Sequence, residues 1–233
     1  MGKVIPRSAS PERIFGDFET SLKNGRRREG EIAKATDARL GPLQSAVDKA
    51  VDDVASDTKT VDELEETLLA ADGVSDLEIG AVLDEAWNAL GRPASSVEYG
   101  LVAGRGKLQW ADGDPREQAT LMTILAARFR QSTAFALQAG KEGWAKRIEA
   151  KAAPQEAIAA KLKAAEAKRI ASTGIARTIA DLTQVALVRF KRDLQNLGLT
   201  EAQIHEIIPD YEPKPKAPPE KKPADGKSTP PDA

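Results

Sequence analysis

Residues 115–137, PREQATLMTILAARFRQSTAFAL, are the stretch that decides the fold. Asp114 directly before them is suited to cap a helix, and proline at position 115 fits the first helical turn. Apolar residues then occupy nearly every side of the predicted helix, from Leu121 to Leu137. A helix with so wide an apolar surface needs neighbours on more than one side. The stretch therefore predicts a central helix buried among others.

The composition favours helices throughout the chain. Of the 233 residues 41% are hydrophobic but only 4% are aromatic, and alanine is abundant. A core built mainly from Ala, Leu, Val and Ile lets helices approach closely, and the β-branched runs that mark strands are scarce. We therefore expect an all-α protein, an elongated multi-helix bundle with extended termini, and the chain is long enough for a substantial core.

Charge is divided unevenly along the chain, although the formal net charge is only −2. Residues 44–85 carry thirteen acidic side chains and two lysines, which gives −11. Residues 116–193 carry fifteen basic and seven acidic side chains, which gives +8. A chain divided in this way either folds one half on the other or offers two faces to different partners.

The sequence lacks the residue patterns of common catalytic and metal sites. Cysteine is absent, which excludes disulfides and thiolate ligands. His205 is the single histidine, and no Gly-x-Ser-x-Gly elbow or Glu-x-x-His motif accompanies it. The phosphate-binding and dinucleotide-binding glycine motifs are also missing. We therefore expect a protein that is not an enzyme and that has no cofactor and no metal.

Residues 1–28 are predicted to form an arm followed by a short helix. Phe15, Phe18 and Leu22 are spaced by three and four residues, which puts them on one apolar stripe. On a short helix near a terminus, such a stripe docks either on the body of the same chain or on a partner. Docking within the chain is the favoured alternative.

Arg26, Arg27 and Arg28 follow directly after this helix. Three consecutive guanidinium groups suit the phosphates of a nucleic acid or the acidic face of a protein partner. The alternative is that they are solvated or pair with the acidic segment downstream.

Residues 29–91 form an acidic helical segment with a heptad repeat. Apolar residues recur at intervals of seven, and most are followed by another after three positions. The two sets are Leu40, Val47, Val54, Val61 and Leu68, with Leu43, Ala50, Leu64 and Ala71. This spacing predicts a coiled-coil-like seam, interrupted by Asp57 at one inner position. The seam packs against a helix of the same chain, which we favour, or of another molecule.

Two capping signals divide this segment further. Thr60 and Ser75 are each followed three positions later by a glutamate, and Gly73 lies between them. Such boxes mark helix starts, and glycine commonly marks a helix end. The sequence therefore predicts an antiparallel helical hairpin from residues 61–72 and 76–91.

Residues 92–114 are the segment without helical periodicity. They include Tyr99, Arg105, Lys107 and Trp110. A long irregular loop in a compact domain is often functional, and aromatic and basic side chains suit contacts with another subunit. The alternatives are a structural connector that includes a small β-hairpin, and a loop that binds a ligand.

Residues 115–208 are predicted to be helical and basic. The central helix is expected to break at Pro154, because proline lacks the N–H group that a helix interior needs. Residues 155–172 form an exposed helix with a basic face at 161–169. Residues 174–197 form a second strongly apolar helix, which we expect beside the central one.

Residues 209–233 form a tail of different composition. They hold eight prolines, five lysines and five acidic residues. Such a segment cannot bury enough apolar surface to fold alone, so an extended, disordered tail is expected.

The chain shows no signal for export or for a membrane. Its first residues lack the apolar core of a signal peptide, and no run approaches about 18 apolar residues. We expect a protein of the cytoplasm, or of a particle assembled there, with no membrane span.

The leading functional hypothesis is a non-enzymatic structural or assembly protein, such as a subunit of a virion, a phage-like particle or another large intracellular assembly. It would associate with itself or with other subunits. The alternative is an adaptor that binds an anionic partner, an acidic protein in preference to a nucleic acid, through basic helix faces. The candidate contact residues are Phe15, Phe18, Leu22, Arg26, Arg27, Arg28, Tyr99, Arg105, Lys107 and Trp110.

Overall fold

The computed structural model describes residues 3–106 and 108–211. This part of the chain is all-α, as predicted, and it contains eight α-helices, two short 3-10 turns and no strand. The helices are α1 (Pro11–Arg26), α2 (Glu31–Arg39), α3 (Gln44–Ala89), α4 (Val97–Ala103), α5 (Leu108–Ala111), α6 (Gln118–Gln131), α7 (Lys141–Asn196) and α8 (Glu201–His205). The tail predicted at 209–233 lies, from residue 212 onward, outside the described residues.

The chain divides into two compact units. The first consists of Met1–Pro42 and Thr183–Ala233, and the second is Leu43–Leu182. The units do not coincide with the five segments that the sequence suggests. In the first unit residues 3–42 and 183–211 come together, whereas the predicted segments follow the chain from one loop to the next.

The first unit buries the apolar stripe of α1. Phe15, Phe18 and Leu22 are all buried, which confirms that this helix docks within the chain. Gly25 near the end of α1 faces α2 closely, because a Cβ atom there would lie 2.3 Å from the hydroxyl oxygen of Thr36. The absence of a side chain at this position therefore allows α1 and α2 to pack closely.

The two described ends of the chain are hydrogen-bonded to each other in the first unit. The backbone N–H of Lys3 donates to the carboxylate of Asp210 at 2.7 Å, and the N–H of Tyr211 donates to the carbonyl of Lys3 at 2.9 Å. The guanidinium of Arg13 lies 4.6 Å from the centre of the Tyr211 ring. These contacts hold the start of the chain against the residues that follow α8.

In the second unit, α3 and α7 pack side by side in opposite directions. Val61 and Leu68 of the heptad seam form a buried cluster with Leu162 of α7. Further along, the Ser75 hydroxyl donates to the side-chain oxygen of Gln155 at 2.8 Å. The seam therefore packs against a helix of its own chain, as favoured from the sequence.

The main core of the second unit surrounds α6. It joins Phe129 and Met122 of α6 to the last part of α3, to α4 and α5, and to the first turns of α7. The central stretch is thus a core element, as predicted, but α6 runs only from Gln118 to Gln131. The part of α7 that packs in this core is 144–152. The expectation that the apolar helix at 174–197 lies beside the central helix is therefore wrong.

The predicted helical hairpin is wrong, because α3 is one continuous helix. Thr60 and Ser75 do not cap helices: their hydroxyls donate to the carbonyls of Ser56 and Ala71, one turn back, at 2.9 and 3.0 Å. Gly73 lies inside α3 and has no left-handed backbone conformation. Packing against α7 on both sides of Gly73 offsets the low helix propensity of glycine.

The predicted break at Pro154 is also wrong, because α7 continues through it. Proline removes the hydrogen bond to the carbonyl four residues back, at Ala150. Both Pro154 and Ala150 are exposed, so water can satisfy that carbonyl.

Short helices replace the predicted irregular loop at 92–114. The Ser96 hydroxyl accepts the N–H of Tyr99 at 3.1 Å and so caps α4. The indole N–H of Trp110 in α5 donates to the carbonyl of Ala103 at 2.8 Å. The β-hairpin considered for this segment is therefore wrong for its described residues.

In the described residues, no helix combines the length and the apolar character that crossing a membrane requires.

Candidate protein-binding groove

A groove of about 510 Å³ opens between α4 and the segment that follows α6. We call it the binding groove. Its walls combine four apolar residues with three uncharged polar ones, one acidic residue and one basic residue. It is lined by Glu98, Leu101, Val102, Arg128, Gln131, Ser132, Thr133, Ala134 and Phe135.

The wall formed by α4 has one buried and one exposed face. Val102 is buried in the core of the second unit, and α4 is further held by the hydrogen bond between Trp110 and Ala103. Val97 and Leu101 lie four residues apart, which puts them on the same outward face. Val97 is 77% exposed and Leu101 is 70% exposed. An anchored helix thus displays two large apolar side chains to solvent.

The opposite wall presents Phe135, which is 93% exposed. Two residues later Leu137 is fully buried, and its N–H donates to the carbonyl of Ala134 at 3.1 Å in a 3-10 turn. The side-chain amide of Gln138 donates to the carbonyl of Ser132 at 2.9 Å. Phe135 is therefore held out by an ordered segment that is fixed to the core on either side of it.

The two charged residues of the groove are each held by a neighbour. Arg128 lies with its guanidinium 5.0 Å from the centre of the Trp110 ring, a cation–π contact. Glu98 lies in the first turn of α4, where its backbone N–H and the Ser96 hydroxyl bond the carboxylate and lower its pKa. A carboxylate with a lowered pKa is a weak general base at neutral pH. The groove is therefore suited to apolar contact and to pairing with charges of both signs.

The loop residues predicted as partner contacts differ in how far they are exposed. Trp110 is buried and does not present its side chain at the surface of this structure. Tyr99 is half-buried against the core, and burial together with Asp84 raises the pKa of its hydroxyl. Arg105 is exposed. Lys107 lies outside the described residues.

The apolar N-terminal candidates are also unavailable to a partner in this structure. Phe15, Phe18 and Leu22 are buried within the first unit. This burial supports docking of α1 within the chain, which is the alternative favoured from the sequence.

The arginine run is largely engaged within the chain. Arg26 bonds the carboxylate of Asp37 at 2.7 Å, and Arg28 bonds that of Glu206 at 2.6 Å. Arg27 is exposed. The acidic partners belong to α2 and to the residues after α8, and not to the acidic segment at 44–85.

His205 lies half-buried in α8, with its Nε2 atom 3.3 Å from the carboxylate of Glu201. Lys191 bonds the same carboxylate at 2.9 Å, and both bonds lower the pKa of Glu201. Across residues 3–106 and 108–211, no three His, Asp or Glu side chains are grouped as metal ligands would be.

The sequence patterns do not predict that Val97, Leu101 and Phe135 lie at the surface. The apolar pattern places Phe135 on the central helix, but α6 ends four residues earlier, at Gln131. The only available signal was weak: Ser132 and Thr133 are poorer helix formers than the residues before them. The spacing of Val97 and Leu101 fits one face of a helix, but it does not show which face is exposed.

Comparison with protein-family models, with curated proteins and with solved structures finds no match to this chain.

Proposed function

We propose that this protein is a non-enzymatic assembly protein that acts through protein–protein contacts, with the binding groove as its main contact surface. The observation that carries this proposal is the near-complete exposure of Phe135 in the same groove as the exposed Leu101. Large apolar side chains grouped at the surface and rimmed by polar residues are typical of interaction sites. Burying them in a partner contributes about 25 cal/mol per Å² of apolar surface removed from water.

The shape and charge of the groove indicate the kind of partner. An aromatic side chain that projects beside a cavity is a common anchor in protein interfaces. Glu98 and Arg128 at the walls would select a partner segment that carries both a basic and an acidic side chain around an apolar centre. An amphipathic helix with apolar residues at i and i+4 fits this description.

The experiment is light scattering coupled to size-exclusion chromatography. The full chain is run alone and with the protein products of its neighbouring genes. We expect co-elution with at least one of them, and we expect Phe135→Ser and Leu101→Ser each to weaken the complex about tenfold or more. Ile124→Ser is the matched control, because Ile124 of α6 is exposed but does not line the groove.

Two results would overturn the proposal. One is a chain that stays monomeric at every concentration, alone and with each neighbour. The other is a complex that the two groove variants weaken no more than the control does.

The alternative of an anionic partner has less support. Arg26, Arg28 and Lys168 already bond carboxylates of the same chain. Binding of nucleic acid through them would require those pairs to be exchanged for phosphates. A steep salt dependence of any DNA or RNA binding would mark that alternative.

A further inference from the structure

The side of α7 that points away from α3 is unusually apolar for an exposed surface. Uncharged residues recur there at intervals of four and three, and all of them are exposed. They are Ala160, Ala164, Ala167, Ala171, Gly174, Thr178 and Leu182. At 1.5 Å per residue they extend over about 33 Å. Beside them Ile170 and Ile175 are 71% and 57% exposed. We call this surface, from 160 to 182, the α7 outer face.

The flanks of the α7 outer face are basic. Lys161 and Lys163 are exposed at its first end. Lys168 and Arg177 lie further along it, but their charges are already paired with Asp57 and Asp181, so Lys161 and Lys163 give the flank its basic character. A helix face with apolar residues at heptad spacing and basic flanks is suited to packing against an acidic amphipathic helix.

The outward side of α3 is such a surface. Leu69, Val74 and Leu77 are exposed on it, and Leu77 is 76% exposed. Asp62 and Glu66 are exposed on the same side, seven and three residues before Leu69. We call this surface, from 62 to 77, the α3 outer face.

The two outer faces do not lie level with each other along the α3–α7 pair. Asp57 bonds Lys168, and Ser75 bonds Gln155. Residues 62–77 of α3 therefore lie alongside roughly 153–163 of α7, by interpolation between these antiparallel contacts. Ile170, Ile175 and Leu182 lie beyond that range, towards the start of α3.

We propose that the α7 outer face of one copy of this chain packs against the α3 outer face of a second copy. The two faces are complementary in charge and both display large apolar side chains, whereas two copies of either face would bring like charges together. Because the two faces are different surfaces, the contact is heterologous and leaves one face of each kind free, so it propagates into a ring or a filament. The inference rests on the proposed assembly role but uses a surface separate from the binding groove.

The test is sedimentation velocity of the full chain over a wide concentration range at low and at high salt. Wild type is expected to form oligomers that become smaller at high salt. Ile175→Asp places an acid opposite the acidic face, and Leu77→Lys places a base opposite the basic face. Each variant alone is expected to be monomeric. Ile175→Ser and Leu77→Ser add no charge, and each should also weaken association.

Mixing the two charged variants gives the decisive result. The Ile175→Asp chain keeps an intact α3 outer face, and the Leu77→Lys chain keeps an intact α7 outer face. A heterologous contact therefore predicts that the mixture forms at least a dimer, although neither chain associates alone. Ile124→Asp is the matched control and should assemble like wild type. Far-UV circular dichroism checks that each variant keeps its helix content.

Any of three results would overturn this inference: wild type that is monomeric at low salt, a single charged variant that still forms oligomers, or a mixture that forms no dimer. Failure of this inference can be distinguished from failure of the proposed function, because the two use different surfaces. Phe135→Ser should leave self-association unchanged, and Ile175→Asp should leave binding at the groove unchanged.

Discussion

The rings of Phe129 and Trp144 pack with their centroids 5.5 Å apart and their planes inclined by 52°. This tilted arrangement joins α6 to the first turn of α7 and is favourable for two aromatic rings. The indole N–H of Trp144 also donates to the carboxylate of Glu85 at 2.8 Å. Arg147 bonds the same carboxylate at 2.8 Å. One aromatic pair and one carboxylate thus connect α6, α7 and α3.

Phe129→Ala should destabilise the protein by about 3–5 kcal/mol, because it removes a fully buried ring and leaves a cavity. Urea unfolding followed by circular dichroism measures the change. Ile124→Ala in the same helix is the control and should cost much less, since Ile124 is partly exposed. A near-neutral effect of Phe129→Ala would mean that α6 is not the centre of the core.

Gln155→Leu should destabilise the protein by about 1–3 kcal/mol, because it leaves buried polar partners unsatisfied. The Gln155 side chain is buried, accepts from Ser75 and donates to Asp72 and to the carbonyl of Pro115 at 3.0 and 3.1 Å. Glu156→Leu, at the exposed next position, is the control for the added leucine. Equal unfolding midpoints for the two variants would exclude a structural role for these bonds.

Asp57→Asn should destabilise the protein at pH 7 but not at low pH. A hydrogen bond from Lys168 at 2.8 Å, opposed by burial and aided by Ser172, lowers the pKa of Asp57. A carboxyl whose pKa is lower in the folded state stabilises the fold above its unfolded pKa of about 3.9, and this stabilisation is lost as the pH falls through the folded pKa. Thermal melts from pH 7 down to acid should therefore show the gap between wild type and variant closing. A gap that is constant with pH would rule out the ion pair as its cause.

Asp76→Asn should stabilise the protein at pH 7, whereas Asp57→Asn should destabilise it. Burial, with the nearby carboxylates of Asp72 and Asp112, raises the pKa of Asp76. The ionised form of Asp76 is therefore disfavoured in the folded state. It lowers the stability of the fold above the folded pKa, and this destabilisation disappears as the pH falls below about 3.9. The asparagine oxygen can still accept the bond from Gln118, which is 3.2 Å long. Melting temperatures of variant and wild type should converge in acid, and a variant less stable than wild type at pH 7 would contradict this assignment.

The sequence was sufficient for the helical class and for much of the core, since both depend on local spacing. The burial of Phe129 and of Val61 follows from apolar periodicity, which reports directly which face of a helix is covered. The seam's inner Asp57 was recognised as an exception, but its partner Lys168 is more than a hundred residues away. No local pattern connects the two.

The helix boundaries and the groove could not be predicted from the sequence, because they depend on tertiary packing and not on local sequence signals. Gly73 and Pro154 are ordinary stop signals, yet α3 and α7 continue through them because each helix packs against the other on both sides of the weak position. Trp110 in a segment without periodicity was expected at a surface, and it is buried instead. Phe135 was expected in the core, and the early end of α6 exposes it.

The central claim is that the binding groove contacts another protein, and site-specific photo-crosslinking tests it most directly. A photoreactive amino acid replaces Phe135 in the full chain, in the cells that produce the protein, and replaces the exposed Glu19 of α1 as a control. The account predicts one defined protein adduct from position 135, lost when Leu101→Ser is added, and no such adduct from position 19. The absence of an adduct at position 135, or the same adducts from both positions, would contradict it.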